Sequence, residues 1–140
     1  MAGSGGGGRR LARERALSLL YEAESKGVPV GEVVAAQPVA PDEFAVTLVN
    51  GVAEQTAGID EVLNRFATGW RVERMAAIDR AVLRIGVFEL AHRPDTPTGV
   101  VLAEAVALAK KFSTAESGRF VNGVLARVAD ELRPGATVSD

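Results

Sequence analysis

GRFVNGVLARV, residues 118–128, decides how the chain is read. Asn122-Gly123 is the pair that most strongly marks a hairpin turn when apolar residues flank it. Its flanks point the other way: Val121, Val124, Leu125, Val128 and Leu132 follow the i, i+3, i+4, i+7 spacing of one helical face. Helix wins at a cost, because Gly in a helix interior is about 1 kcal/mol worse than Ala and Asn is also a poor helix former. A helix that keeps both residues has them for a reason outside its own propensity.

The helical spacing recurs along the chain. STAE, Ser113 to Glu116, fits a capping box that would start this last helix. Ahead of it, Thr96 or Asp95 can cap a helix with Pro97 at its first position, carrying Val101, Ala105, Leu108 and Phe112 on one face. Ile78 to His92 is apolar on two sides, with Ile78, Val82, Ile85 and Phe88 on one and Leu83, Val87 and Leu90 on the other. That leaves mainly Asp79, Arg80, Arg84 and Glu89 for solvent or partners. A helix of this kind is normally sandwiched, so it is expected to join two packed halves before Pro94 ends it.

Nearer the N-terminus, Asp42 is expected to cap a helix bearing Phe44, Leu48 and Val52 that runs to about Thr56. Gly58 marks a kink or boundary, and Ile59, Val62, Leu63 and Phe66 give a further helical face closed by Gly69 and Trp70. A short helix over Val30 to Ala36 precedes Pro38 and Pro41. The first helix is expected from Arg9 to Lys26, with Ala12, Ala16, Leu19, Leu20 and Ala23 inward and Gly27 and Pro29 as its stop. Gly3 to Gly8, GSGGGG, cannot bury a core, so residues 1–8 are expected to be a flexible arm. Its chance match to G-x-G-x-x-G follows no strand and is not a dinucleotide fingerprint. With no strand pattern anywhere, the chain reads as an all-α bundle of about seven helices with short connections. One domain is expected over residues 9–134, with a short tail at 135–140.

The 140 residues suffice for one domain with a real core, and 47% hydrophobic but only 5% aromatic residues favour close-packed helices. The absence of cysteine removes disulfides and thiolate chemistry. No apolar run approaches bilayer length and no signal peptide is seen, so a soluble, cytoplasmic protein with no membrane partner is expected. A net charge of −2 argues against a protein wholly devoted to nucleic acid. Yet Arg9, Arg10, Arg13 and Arg15 cluster around a single acid, Glu14, and the first three project within roughly a third of the helix circumference.

His92, the only histidine, reads as a helix-end residue beside the last carbonyls. Acidic neighbours such as Asp60-Glu61 point different ways on a helix and offer no paired acid and base. Walker A, zinc-knuckle and Gly-x-Ser-x-Gly motifs are absent, so no catalytic residue, metal or cofactor is expected. Binding remains. The arginines are either RNA-phosphate contacts or a solvated face, and Phe120, after Arg119, is either core or a platform for a base.

RLARERALSLLYEAE at 10–24, IDRAVLRIGVFEL at 78–90 and VVLAEAVALAKKFSTAESGRFVNGVL at 100–125 together resemble the NusB family of bacterial transcription antitermination factors. The resemblance covers Arg9 to about Pro134. It implies a pair of packed helical subdomains and a non-enzymatic adaptor. Such an adaptor pairs with NusE, a small-subunit ribosomal protein, and binds boxA RNA within the RNA polymerase elongation complex with other Nus factors, chiefly on ribosomal RNA operons. By position, Arg9, Arg10, Arg13 and Arg15 look like the RNA motif, and Glu116, Arg119 and Phe120 match positions beside the RNA. Asp79, with Arg80 and Glu73, looks like the NusE-facing surface. FVNG would lie in a helix of the second subdomain, where Gly123 is expected to admit a neighbouring helix and Asn122 to satisfy orphaned polar groups.

Leu11 and Glu14 interrupt the basic motif, which leaves open a divergent paralogue, a homodimeric interaction module with weak or no boxA binding. A NusB-like domain also begins a bacterial RNA methyltransferase, but that enzyme needs an α/β cofactor domain and a catalytic cysteine that this sequence does not contain.

Overall fold

A computed structural model describes residues 6–135 of the chain. Among them are six α-helices, one 3-10 turn and no strand: α1 (Gly6–Lys26), α2 (Val30–Ala35), α3 (Glu43–Phe66), the turn Val72–Arg74, α4 (Ala77–His92), α5 (Thr98–Phe112) and α6 (Ala115–Leu132). The expected seven become six because α3 runs unbroken through Gly58. Gly6 to Gly8 belong to α1 rather than to an arm, since a nucleated helix can add a turn of poor formers with each residue closing one more bond. Residues 1–5 and 136–140, the rest of the expected arm and tail, lie outside the described residues.

The helix ends follow local chemistry. Gly27 takes φ +67°, and Val28 N–H donates to Ala23 O (3.0 Å) while Gly27 N–H donates to Glu24 O (3.2 Å), a Schellman stop that needs the left-handed conformation. Asp42 Oδ2 accepts from Phe44 N–H at 2.8 Å, as a cap of α3 should. Two starts differ from expectation by one residue. Pro97 occupies the N-cap position of α5 with Thr98 first in the helix, and Thr114, not Ser113, caps α6 by accepting from Ser117 N–H at 2.9 Å. Glu116 is therefore one position too early to close the expected capping box.

The chain forms two compact units, one up to Glu54 and one from Gln55, the division falling within α3. In the first, α1 packs on α2. Ala12, Ala16, Leu17, Leu19 and Ala23 of α1 are buried, as are Val30 and Val33 of α2 and Ala45, Leu48, Val49 and Val52 of α3.

In the second unit α4, α5 and α6 all pack on one another. From Ala81 to Leu90 every residue of α4 except Arg84 is buried. Glu89, expected outside, is 2% exposed. Arg84 instead makes a two-pronged ion pair with Asp60 of α3, Nε to Oδ1 and Nη2 to Oδ2 both 2.8 Å. Phe112, expected on the inner face of α5, is 43% exposed because the last turn of that helix has run past the core.

Three contacts pin α4 to α6 at increasing positions along both helices. Ser117 reaches Asp79, Leu125 lies against Gly86, and Arg133 reaches Leu90, so the two run parallel with α5 as the returning element. The close approach is at Gly86, where a Cβ would stand 2.6 Å from Leu125 Cδ1. Gly123 was expected to play that part, yet nothing lies within 4 Å of where its Cβ would be, and Asn122 is exposed with no buried group to satisfy. No contact among the described residues explains that pair.

Arg133 closes the other end. Its Nε donates to Leu90 O (3.0 Å), Nη1 to Thr96 O (2.7 Å) and Thr98 Oγ1 (3.1 Å), and Nη2 to Glu89 O (3.2 Å) and Arg93 O (2.9 Å). All five guanidinium N–H groups are thereby used, on three backbone carbonyls at the end of α4 and on Thr96 O and Thr98 Oγ1 at the approach to α5.

Gly86→Ala is expected to lower the unfolding free energy by roughly 1–3 kcal/mol through overpacking against Leu125, although Ala is the better helix former. Gly123→Ala should raise it by up to about 1 kcal/mol. Urea unfolding of both variants checks the pair, and effects of the same sign would refute the assignment. Arg133→Ala should cost roughly 3 kcal/mol, and Arg133→Lys should recover little, because an ammonium cannot span five acceptors. Thermal unfolding followed by circular dichroism measures both.

Candidate functional site

The predicted site residues fall in both units. In the first, the arginines of α1 are not equivalent. Arg9 places its guanidinium 4.1 Å from the ring centroid of Phe44, in the first turn of α3, and Arg13 lies 5.4 Å from the same ring. Arg13 is only 3% exposed, so its guanidinium lies beside Phe44 within the fold. Arg15 is half-buried and committed to the α2–α3 connection, Nη2 donating to Gln37 Oε1 at 3.0 Å and to Val39 O at 3.4 Å. Arg10 is exposed and Arg9 half-exposed. Sequence reading placed Phe44 on a helical face and missed its role as an arginine platform, which only the fold reveals.

In the second unit a cleft of about 770 Å³ opens between the beginnings of α4 and α6, with Trp70, Arg74, Met75, Asp79, Glu116 and Phe120 among its walls. Both helices bring an acid in their first turn, Asp79 and Glu116, where the positive end of the helix dipole favours a carboxylate. Trp70 is 54% exposed and Phe120 half-buried, so aromatic surface faces the opening beside the acids. Residues expected to serve RNA (Glu116, Phe120) and a protein partner (Asp79) thus share one cavity. Trp70 was read only as the close of a helical unit. A large aromatic just past a turn glycine and half in solvent is the signal that could have marked it.

The walls are fixed by a clamp on the 3-10 turn. Val72 N–H donates to Asn64 Oδ1 (2.9 Å), and Arg80 Nη1 donates to Val72 O (3.1 Å) and Met75 O (2.7 Å). Arg80 is therefore turned toward its own backbone, and neither it nor Glu73 lines the cleft. Glu73 is exposed, its carboxyl held below the ordinary glutamate value chiefly by the backbone hydrogen bond at Glu73 and then by Arg71, whose Nε is 3.1 Å from Oε2. Arg119 is exposed on α6 outside the cleft.

Asp79 holds the joint between the two helices. Its Oδ2 accepts from Ser117 Oγ at 3.0 Å, while Oδ1 is buried with no hydrogen-bond partner. A buried acceptor left open costs about 1–3 kcal/mol and is uncommon in a stable core. His92 behaves as read, closing α4 with its ring stacked on Phe88 at 5.2 Å. Among the described residues no group of three or more His, Cys, Asp or Glu could hold a metal ion, and no helix is long and apolar enough to cross a membrane.

Known proteins share both the sequence and this arrangement of helices. The sequence profile of the NusB family matches residues 10–130. The transcription antitermination protein NusB of Thermobifida fusca (strain YX) is 50% identical over 129 residues, covering 89% of this chain and 91% of its own. A solved structure of T. maritima NusB superposes with a TM-score of 0.80 at 30% identity, over 88% of this chain and 91% of that one. A crystal structure of the antitermination factors NusB and NusE in complex with double-stranded RNA contains a chain that matches with a TM-score of 0.77 at 29% identity, over 88% of this chain and 96% of that one. Profile, identity and fold agree along nearly the whole length, and the chain belongs to the NusB family.

Proposed function

We propose that this chain is a transcription antitermination factor, a non-enzymatic cytoplasmic adaptor that binds boxA-type RNA together with NusE and supports transcription of ribosomal RNA operons in the RNA polymerase elongation complex. The observation that carries the reading is the shared cleft, in which Asp79 on the partner side and Glu116 and Phe120 on the RNA side stand together. The half-identical relative named for antitermination and the related structure holding NusE and RNA support it.

Two terms make up RNA binding in this reading. Arg9 and Arg10 supply phosphate attraction that weakens as salt competes, with Arg13 behind them holding Phe44 in place. Sequence choice comes from unstacked bases, for which Phe120 and Trp70 offer aromatic faces worth about 1–3 kcal/mol per base. Glu116 repels phosphate and favours amino groups of bases, and Arg119 adds charge beside it. Asp79 faces NusE, while Arg80 acts on that surface by shaping the 3-10 turn and Glu73 as part of that turn. An acidic protein with a divided basic motif gains its RNA affinity by sharing the RNA with a second protein.

Titration of boxA RNA and a scrambled RNA across a salt series, with and without NusE, tests the proposal. Specific binding that tightens when NusE is added is expected, and equal weak binding of both RNAs with no effect of NusE would overturn it. In the same assay Arg10→Ala should flatten the logarithmic salt slope by roughly 1, whereas Arg13→Ala should act mainly on stability. Because Trp70 is the only tryptophan and lines the cleft, its emission should respond as the cleft fills. Phe120→Ala should weaken RNA binding by roughly tenfold with the fold retained.

A further inference from the structure

We infer that Ser117 couples the two binding events, its hydroxyl being the link through which NusE at Asp79 strengthens RNA binding at Glu116 and Phe120. The inference rests on the reading of Asp79 as a NusE-facing residue and of Glu116 and Phe120 as RNA-facing ones.

Ser117 is 7% exposed and sits one residue after Glu116 and three before Phe120, inside the first turn of α6. A hydroxyl donates one hydrogen bond and accepts two, and the geometry uses all three. Its proton goes to Asp79 Oδ2 at 3.0 Å, and Thr114 Oγ1 donates to it at 3.1 Å. Ser113 Oγ, at 3.0 Å, must then be a donor as well, because the single proton of Ser117 is already committed. The Ser113 and Thr114 hydroxyls thus donate to Ser117 Oγ, which alone donates to the Asp79 carboxyl.

The dependence is one-sided. Among the described residues Ser117 provides the only hydrogen bond to the Asp79 carboxylate, since Oδ1 is buried and has none. The place of Asp79 is set by the first turn of α6 and by no other polar contact. A partner that fixes Asp79 therefore also fixes the first turn of α6, which carries Glu116 and leads into Phe120, and RNA binding to the ordered turn loses less conformational freedom. Linkage makes the effect reciprocal, so RNA must strengthen NusE binding by the same factor.

The test compares wild type, Ser117→Ala and Thr114→Ala, measuring boxA RNA affinity alone, NusE affinity alone, and the factor by which saturating NusE tightens RNA binding. In Ser117→Ala the tightening factor should fall by about tenfold, the equivalent of one charge-assisted hydrogen bond, and by more than either separate affinity changes. Thr114→Ala removes the helix cap but leaves the Ser117–Asp79 bond, so it should lower the melting temperature and retain the tightening. Full tightening in Ser117→Ala overturns the inference. So does equal loss in Thr114→Ala, which would make helix capping the cause, or a parallel fall of both separate affinities in Ser117→Ala, which would make the residue merely structural. If wild type itself shows no tightening by NusE, the functional reading fails first and takes the inference with it.

Discussion

The second unit depends on the enclosure of α4. From Ala81 to Leu90 only Arg84 of this helix escapes burial, and a carbonyl near its end left without a partner inside the protein would cost as much as several good contacts return. Arg133 resolves this by bringing five donors from the far end of α6 to the end of α4 and the start of α5. Its reach fixes the parallel register of α4 and α6. Gly86 then allows Leu125 to sit against the α4 backbone midway. With the middle and the C-terminal ends set, the N-terminal ends of both helices arrive side by side, and the cleft is what lies at that end.

The chemistry of the cleft follows from its being built of two helix beginnings. Such ends present positive dipole and unpaired N–H groups, which explains why acids are tolerated there, Asp79 on one helix and Glu116 on the other. Trp70 and Phe120 add flat apolar faces, and Arg74 adds a cation at the rim. This mixture suits a composite partner better than a bare phosphate backbone. In the first unit Phe44 gathers Arg9 and Arg13 over one ring and so gives a flexible side chain a defined direction.

Much of this was legible in the sequence because it is local. Helical spacing, the Gly27 stop, the Asp42 cap and the two apolar sides of Ile78 to His92 are set by residues within a turn or two of each other, and the family motifs lie in those same stretches. Asp79, Glu116 and Phe120 could be named as site residues from those motifs, but their meeting in one cleft could not. The one-residue shifts at Thr98 and Thr114 show the limit, since neighbouring Ser, Thr and Pro residues compete for the same capping role.

The sequence by itself determined the all-helical class, the order and approximate ends of the helices, and the family. Only the tertiary structure decided which glycine is the close contact, Gly86 and not Gly123, and which arginines turn inward, Arg13 to Phe44 and Arg133 to α4. It also decided that Ser117, unremarked in the sequence, holds Asp79. The physical reason is separation along the chain: those contacts join residues 31 to 44 positions apart, and no periodic pattern of one helix records which face of another it will meet.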